Sequence, residues 1–176
     1  PTARNFDKRV RRFAGFYMGD DPQAPNYDKE HKIIRSLLNG SRGPMLRKAT
    51  ALDWAGDPME EVEGRFNALH GERNFAEMLA HFEDYTDVAG DHPSNMVATT
   101  LGLNAFALTG EASFRDWVLE YTEAWVERAR ENGGIVPDNV GLSGTVGEHI
   151  NGKWYGSQYG WSWPHGWHSV GQAVGV

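Results

Sequence analysis

Apolar residues recur at helical spacing in several segments of the chain. In each segment an apolar side chain appears every three or four residues, which is the period of an amphipathic helix. Turns rich in glycine, proline, asparagine and aspartate separate these segments and are expected to end helices. The helices predicted in this way cover residues 3–17, 29–38, 74–86, 94–108 and 113–131. The pattern therefore predicts a mainly α-helical chain.

The last two predicted helices differ in polarity. Segment 94–108, SNMVATTLGLNAFAL, has no charged residue, so we expect it to be buried on nearly every side. Segment 113–131 is amphipathic, and Ser113 with Asp116 resembles a capping box at its start. The contrast indicates a helical hairpin with one inner and one outer member. A ring of hairpins, the α/α toroid, and an ordinary bundle around one central helix both produce this contrast.

Segment 133–168 has a different composition from the rest. It contains nine glycines, four of the chain's seven tryptophans, two tyrosines and three histidines. Its glycine and proline content excludes a long helix, and its indole rings are too apolar for a solvated linker. Aromatic rings on a backbone that allows close approach indicate a ligand-binding loop. Residues 168–176 resemble the first turns of another helix, and we expect the chain to be a piece of a longer polypeptide.

Composition narrows the classes of partner. The chain has 176 residues, which we interpret as a single domain over residues 1–176, and a net charge of −7. That charge argues against nucleic acid as the main partner, because phosphate binding requires a basic surface. No apolar run approaches the ~20 residues of a membrane-spanning helix, so we expect no membrane partner. The absence of cysteine excludes disulfides, thiolate metal ligands and a cysteine nucleophile, and leaves the compartment open.

Two stretches of the sequence resemble a known family. DHPSNMVATTLGLNAFALTGEASFRDWVLEYTEAWVERARENGGIVPDNVG resembles an inner–outer hairpin of the (α/α)6-toroid carbohydrate-active enzymes. WYGSQYGWSWPHGWHSVGQA resembles their aromatic approach to the next inner helix. The family includes unsaturated glucuronyl hydrolases, related glycoside hydrolases and toroid polysaccharide lyases. The resemblance covers residues 87–176 and implies an α/α toroid with more hairpins than this chain can supply, so the remainder of the same polypeptide is an expected partner.

The resemblance also implies a function, that of a glycoside hydrolase acting on a uronate-containing polysaccharide or oligosaccharide. Unsaturated glucuronyl hydrolases place a catalytic aspartate near the start of an inner helix. The matching positions here are Asp91, as general acid/base, and Asn95, as a substrate contact. From the residues alone, the N-cap of the following helix is the simpler role for Asp91. We expect a secreted or periplasmic location and no cofactor.

Glycoside hydrolysis usually needs a second carboxyl group beside the scissile bond. Glu148 is the candidate, because a carboxyl group beside aromatic rings can have a raised pKa that suits acid catalysis. Asp138 lies in the same loop, but its Pro-Asp-Asn context favours a turn. The sequence therefore predicts Glu148 as the second catalytic carboxyl group.

A polysaccharide lyase is the alternative enzyme on the same fold. It needs a base and a proton donor near the uronate, and His165 and Tyr159 supply side chains of these types. His165 could instead only form hydrogen bonds within an aromatic cluster. A metal site around His165 and His168 has a suitable inventory of ligands but no known zinc spacing, so no metal is predicted.

The aromatic residues of the loop have two interpretations. Sugar rings have apolar C–H faces that pack on indole rings, while their hydroxyl groups bind nearby polar side chains. The same aromatic rings could instead fill the core beneath the loop. The candidate substrate-binding residues of the loop are Trp154, Tyr155, Trp161, Trp163, Trp167 and His168. A noncatalytic glycan-binding module, in which these rings bind and no acid is needed, is a third functional hypothesis.

Overall fold

About half of the described part of the chain is helical. In a computed structural model of the protein, residues 3–22, 25–37, 39–40, 43–44, 46, 89–157, 160–161 and 166–176 are described. The helices are α1 (Ala3–Met18), a 3₁₀ helix (Pro93–Ala98), α2 (Thr99–Thr109), α3 (Ala112–Glu131) and α4 (Gly166–Val174). The strands are β1 (Tyr27–Asp28), β2 (Ile33–Ile34), β3 (Asn39–Gly40) and β4 (Gly43–Pro44), and they form two antiparallel pairs, β1–β2 and β3–β4. These elements are compatible with the predicted helix-rich class.

Helix α1 confirms the first predicted helix and extends it by one residue. Its apolar side contributes Ala14 and Met18 to the core and packs against α2. The helix predicted over residues 74–86 lies outside the described residues. Helix α1 is therefore anchored through one face, and Lys8, Arg9 and Arg12 are exposed.

The helix predicted over residues 29–38 is wrong, because the chain forms the β1–β2 hairpin there. Asp28 pairs with Ile33 across the hairpin. The Asp28 carboxylate accepts the backbone N–H of Glu30 at 2.9 Å, and this contact closes a turn. An aspartate makes the same kind of contact at the start of a helix, so the local signal suited either structure. Ile33 and Ile34 are both buried, and β-branched residues favour the strand.

Helices α2 and α3 form the predicted hairpin. The first turns of segment 94–108 are 3₁₀ rather than α. Gly110 ends α2 in a left-handed conformation, with φ of 72°, as helix C-termini commonly require. The predicted capping box is wrong. Glu111 occupies the N-cap position of α3 without a side-chain cap, and Asp116 instead accepts a hydrogen bond from Arg115 at 2.6 Å.

The expectation that segment 94–108 is buried on nearly every side is also wrong. Val97, Leu103 and Leu108 are exposed, Leu108 by 51%. One side of α2 packs against α3 and α1, and the part of the chain that the structure describes does not cover the other side. An uncharged helix is suited to burial, but its hydrophobicity does not supply the partner that buries it.

An aromatic cluster joins the β1–β2 hairpin to α3. Trp117 and Tyr121, one helical turn apart, stack with ring centroids 5.6 Å apart. Tyr27 packs edge-on against both rings and donates its hydroxyl to Glu120 at 2.9 Å. Each aromatic pair contributes about 0.5–1.5 kcal/mol beyond the area that it buries. The cluster therefore holds β1 on α3, beside the Tyr121 hydroxyl.

Segment 133–168 is irregular up to Gly166 in its described residues, as its composition predicted. Its two halves are joined by a backbone hydrogen bond of 2.8 Å from the Asp138 N–H to the Trp154 carbonyl. Helix α4 then confirms the helix expected near residues 168–176, and it packs against the 3₁₀ helix. Among the described helices, none is both long and apolar enough to span a membrane.

The close approach of α2 and α3 depends on Gly102. A Cβ at this position would lie 2.7 Å from Cγ2 of Val118 and 3.1 Å from Cε3 of Trp117. We expect Gly102→Ala to lower the free energy of unfolding by about 1–2 kcal/mol, because overpacking outweighs the helix propensity of alanine. Gly171→Ala in α4 is the matched control, since its Cβ would meet no atom within 4 Å. Chemical denaturation measures both, and equal stability of the two variants would contradict the packing argument.

Candidate functional site

Asp91 lies where segment 133–168 meets the start of the 3₁₀ helix. Its backbone pairs with Val140 in both directions. The Asp91 N–H donates to the Val140 carbonyl at 2.7 Å, and the Val140 N–H donates to the Asp91 carbonyl at 2.9 Å. The Asp91 residue is fully buried. This bridge fastens the loop to the residue that precedes the helix.

The Asp91 carboxylate accepts four hydrogen bonds from the described part of the chain. Oδ2 accepts the backbone N–H of Ile34 at 3.0 Å. Oδ1 accepts the backbone N–H of His92 at 2.9 Å, the Asn95 amide at 2.8 Å and the Tyr121 hydroxyl at 3.0 Å. The N-cap position of the 3₁₀ helix belongs to His92, so the N-cap role considered for Asp91 is wrong. The carboxylate instead links β2, the 3₁₀ helix and α3.

Burial changes the acid–base properties of Asp91 and Tyr121. Loss of water raises the pKa of the Asp91 carboxyl from its ordinary value of 3.8 to about 6, although its hydrogen-bond donors oppose the rise. Burial, and then the neighbouring Asp91 charge, raises the pKa of Tyr121 well above its usual range. Tyr121 therefore remains a donor, whereas Asp91 takes up a proton under mildly acidic conditions.

A second buried polar group, His92, Asn139 and Ser157, adjoins this carboxylate. The Asn139 amide nitrogen lies 3.0 Å from the Ala89 carbonyl and 3.1 Å from Nε2 of His92. Because the amide is a donor, Nε2 accepts, and the neutral ring carries its proton on Nδ1. Nδ1 then donates to Oγ of Ser157 at 3.2 Å. His92 therefore does not accept the Ser157 proton, as the base of a nucleophilic serine would.

Asp138 is a buried anchor of the loop, a role beyond the turn expected from its sequence context. Its Oδ2 accepts the backbone N–H groups of Gly156 at 2.8 Å and Ser157 at 3.4 Å. Its Oδ1 accepts the N–H of Trp161 at 2.8 Å. Burial raises the pKa of this carboxyl, against the effect of the three donors. A Cβ on Gly160 would overlap the carboxyl group, so only glycine permits this approach.

Glu148 does not have the environment expected of a general acid. Its side chain is exposed, and its carboxylate accepts the Ser143 hydroxyl at 2.6 Å and the Ser143 N–H at 2.9 Å. These hydrogen bonds lower its pKa, so the expected rise is wrong. An ionised carboxylate suits a base or a nucleophile. Glu148 lies against Gly141, the residue after Val140, and therefore near the bridge to Asp91.

The aromatic residues of the loop divide into anchored and exposed ones. Trp161 is half-buried and donates its indole N–H to the Val136 carbonyl at 2.7 Å. Trp154 is half-buried and packs edge-on against Tyr155, with ring centroids 5.0 Å apart. Tyr155 is 44% exposed, and Trp167, near the start of α4, is 71% exposed. The exposed rings are accessible to a ligand.

The remaining predicted site residues have different surroundings. Asn95 is buried with its amide bonded to Asp91, and His168 is exposed on α4. Outside the described residues lie Tyr159, Trp163 and His165. Within the described ranges, no cluster of three or more histidine, aspartate or glutamate side chains could hold a metal ion.

A cleft of about 600 Å³ lies between α1, β1 and α3. Tyr27 and Trp117 form part of its wall, and none of the described residues of segment 133–168 lines it. The rings of Tyr27 and Tyr121 stand between this cleft and the Asp91 carboxylate. We call segment 133–168 the aromatic loop. The cleft and the described part of this loop are separate features of the surface.

Sequence analysis missed Tyr121, Asn139 and Ser157. Tyr121 lies on the apolar face of α3 and fits the pattern of a core residue. Its hydroxyl was the available signal, because a buried tyrosine needs a polar partner. Asn139 and Ser157 carried no local signal, since their partners Ala89 and His92 are distant in the sequence.

A comparison with protein families covers the whole chain. The family model described as "Domain of unknown function (DUF8034)" matches residues 1–176. The chain belongs to this family. No curated protein and no solved structure matches the DUF8034 chain. Its function is therefore inferred from the aromatic loop and from the Asp91 carboxylate with its hydrogen-bond donors.

The raised pKa of Asp91 makes stability depend on pH. The folded state holds this proton more tightly than the unfolded chain, so the stabilisation is complete below pH 3.8 and is lost as pH rises through about 6. We expect the free energy of unfolding of wild type, minus that of Asp91→Asn, to fall by about 2–3 kcal/mol from pH 4 to pH 7. Denaturant titrations at both pH values measure this difference. A difference that is constant or rises with pH would contradict the assignment.

Proposed function

We propose that the DUF8034 chain is part of a carbohydrate-active enzyme whose aromatic loop binds a polysaccharide or oligosaccharide for glycoside hydrolysis. The observation that carries this proposal is the exposure of two aromatic rings: Tyr155, on a loop that the buried Asp138 carboxylate holds in place, and Trp167, at the start of α4. Exposed rings on a fixed backbone lose little conformational freedom when a ligand binds. Sugar rings supply the apolar faces that pack on them.

The α/α-toroid arrangement is part of the same proposal. The α2–α3 hairpin supports it, and so does the exposed, uncharged side formed by Val97 of the 3₁₀ helix and by Leu103 and Leu108 of α2. In a ring of hairpins each inner helix contacts the inner helices beside it, so such a side becomes buried. We therefore propose that the remainder of the same polypeptide supplies the hairpins that cover it.

Two carboxyl groups with opposite acid–base properties support hydrolysis. The pKa of Asp91 is raised to about 6, and that of Glu148 is lowered. Hydrolysis requires one protonated carboxyl group and one ionised carboxylate, so we assign the acid to Asp91 and the base or nucleophile to Glu148. Asp91 is enclosed in the observed arrangement, so a donor such as the Asn95 amide must move before its carboxyl meets a substrate.

The assignment of Glu148 predicts a loss of turnover without a loss of fold. Glu148→Gln in the full-length polypeptide is expected to reduce the release of reducing ends from polysaccharides by about a hundredfold or more. The thermal transition should change little, because the side chain is exposed. Glu127→Gln, at an exposed position of α3, is the matched control and should retain full turnover.

The same assay separates the alternative functions. Equal turnover of Glu148→Gln and Glu127→Gln would rule out Glu148 as the catalytic base or nucleophile. Products that absorb as unsaturated uronates would indicate elimination, with His165 as base and Tyr159 as proton donor. Glycan binding without any cleavage would indicate a noncatalytic module.

The aromatic loop predicts a loss of binding when its exposed rings are removed. Tyr155→Ala and Trp167→Ala are each expected to weaken glycan affinity about three- to tenfold, which corresponds to ~0.5–1.5 kcal/mol for one ring contact. Leu119→Ala removes a comparably exposed apolar side chain from α3 and should leave the affinity unchanged. Isothermal titration calorimetry measures all three. Unchanged affinity in both ring variants would rule out this loop as the binding surface.

A further inference from the structure

Helix α1 has an exposed face of phenylalanine and arginine side chains. This face has no part in the catalytic or binding roles proposed above. Phe6, Arg9, Phe13 and Phe16 are spaced by three or four residues, so they lie along one side of the helix, and Arg12 lies beside them. Phe6 is 57% exposed and Phe13 is 46% exposed. We call these five residues the α1 face.

The α1 face concentrates positive charge in an acidic protein. Helix α1 has five basic residues and one acidic residue, whereas the whole chain has a net charge of −7. Arg11, outside this face, is neutralised by Glu111 at 2.7 Å. Within the described residues, Arg9 and Arg12 form no ion pair. The guanidinium group of Arg12 instead lies 5.7 Å from the centroid of the Phe16 ring.

Two of the three rings of the α1 face also contact each other. Phe13 and Phe16 pack edge to face with centroids 6.2 Å apart. Two guanidinium groups that form no ion pair with any described residue therefore share this side of the helix with the aromatic rings. A complementary ligand carries carboxylate groups, which pair with arginine through two parallel hydrogen bonds. It also carries apolar faces that pack on the rings, and a chain of uronic acid residues has both features.

We propose that the α1 face binds an acidic polysaccharide, a polyuronate, at a site separate from the aromatic loop. This inference rests on the proposed function only in taking the polymer to be a glycan. An anionic membrane is the less suitable occupant, because a membrane-bound amphipathic helix inserts its apolar side into the lipid. The apolar side of α1, with Ala14 and Met18, is already buried in the core. On the free side, Arg9 and Arg12 interrupt the phenylalanines.

Binding of polygalacturonate, and of the same polymer after chemical reduction of its carboxyl groups, tests the proposal. In the full-length polypeptide, Arg9→Gln/Arg12→Gln is expected to weaken polygalacturonate affinity at least about tenfold and to reduce the dependence of Kd on salt concentration. Affinity for the reduced polymer should not change. Lys29→Gln/Arg130→Gln removes the same charge from exposed positions elsewhere and should bind both polymers as wild type does.

Each remaining outcome is decisive. Polygalacturonate affinity equal to wild type in Arg9→Gln/Arg12→Gln, or equally reduced in the control variant, overturns the proposal. Binding of wild type to phosphatidylserine vesicles but not to polygalacturonate overturns it in favour of a membrane, and binding to neither also overturns it. Trp167→Ala separates the two sites. If that change affects neither polymer while the arginine change weakens polygalacturonate binding, the proposed loop site fails and the α1 face stands.

Discussion

One buried carboxylate, that of Asp91, joins segments that are far apart in the sequence. It accepts a backbone N–H from β2, an amide from the 3₁₀ helix and a hydroxyl from α3. Removing a carboxylate from water costs several kcal/mol unless hydrogen bonds replace its hydration, so each segment must present a donor at the same point. The stacked rings of Trp117 and Tyr121 pack beside that point, and the bridge to Val140 adds the aromatic loop. Asp91 therefore joins the loop, through its backbone, to the segments that its carboxylate holds together.

Helical periodicity predicted α1 and α3 because each has a continuous apolar face that the core uses. It failed at the β1–β2 hairpin, where Ile33 and Ile34 are too few to distinguish a buried strand from a helix. The Asp28 carboxylate does not decide between them, since it can start a helix or close a turn. The predicted burial of α2 failed for another reason. The absence of charge shows which helix can be buried, whereas the neighbours that bury it belong to the rest of the fold.

The candidate site was predictable where a local pattern exists. Asp91 stood out by its place before a helix and by the family resemblance, but its partner Tyr121 approaches it only through tertiary packing. The context of Asp138 predicted a turn and not the N–H donors that converge on its side chain from later in the loop. Glu148 has aromatic residues near it in the sequence, yet in space its exposed carboxylate accepts hydrogen bonds from Ser143, and these lower its pKa.

The contacts of Asp138 distinguish the residues that fix the backbone of the aromatic loop from the residues whose side chains face solvent. Gly160 can carry no side chain, because a Cβ would overlap the Asp138 carboxyl group. Tyr155 and Trp167 face solvent, and their side chains form no hydrogen bond to the backbone among the described residues. Their replacement therefore alters the chemistry of the surface while the course of the chain is kept. Single substitutions at these two positions can therefore remodel the surface on an unchanged backbone.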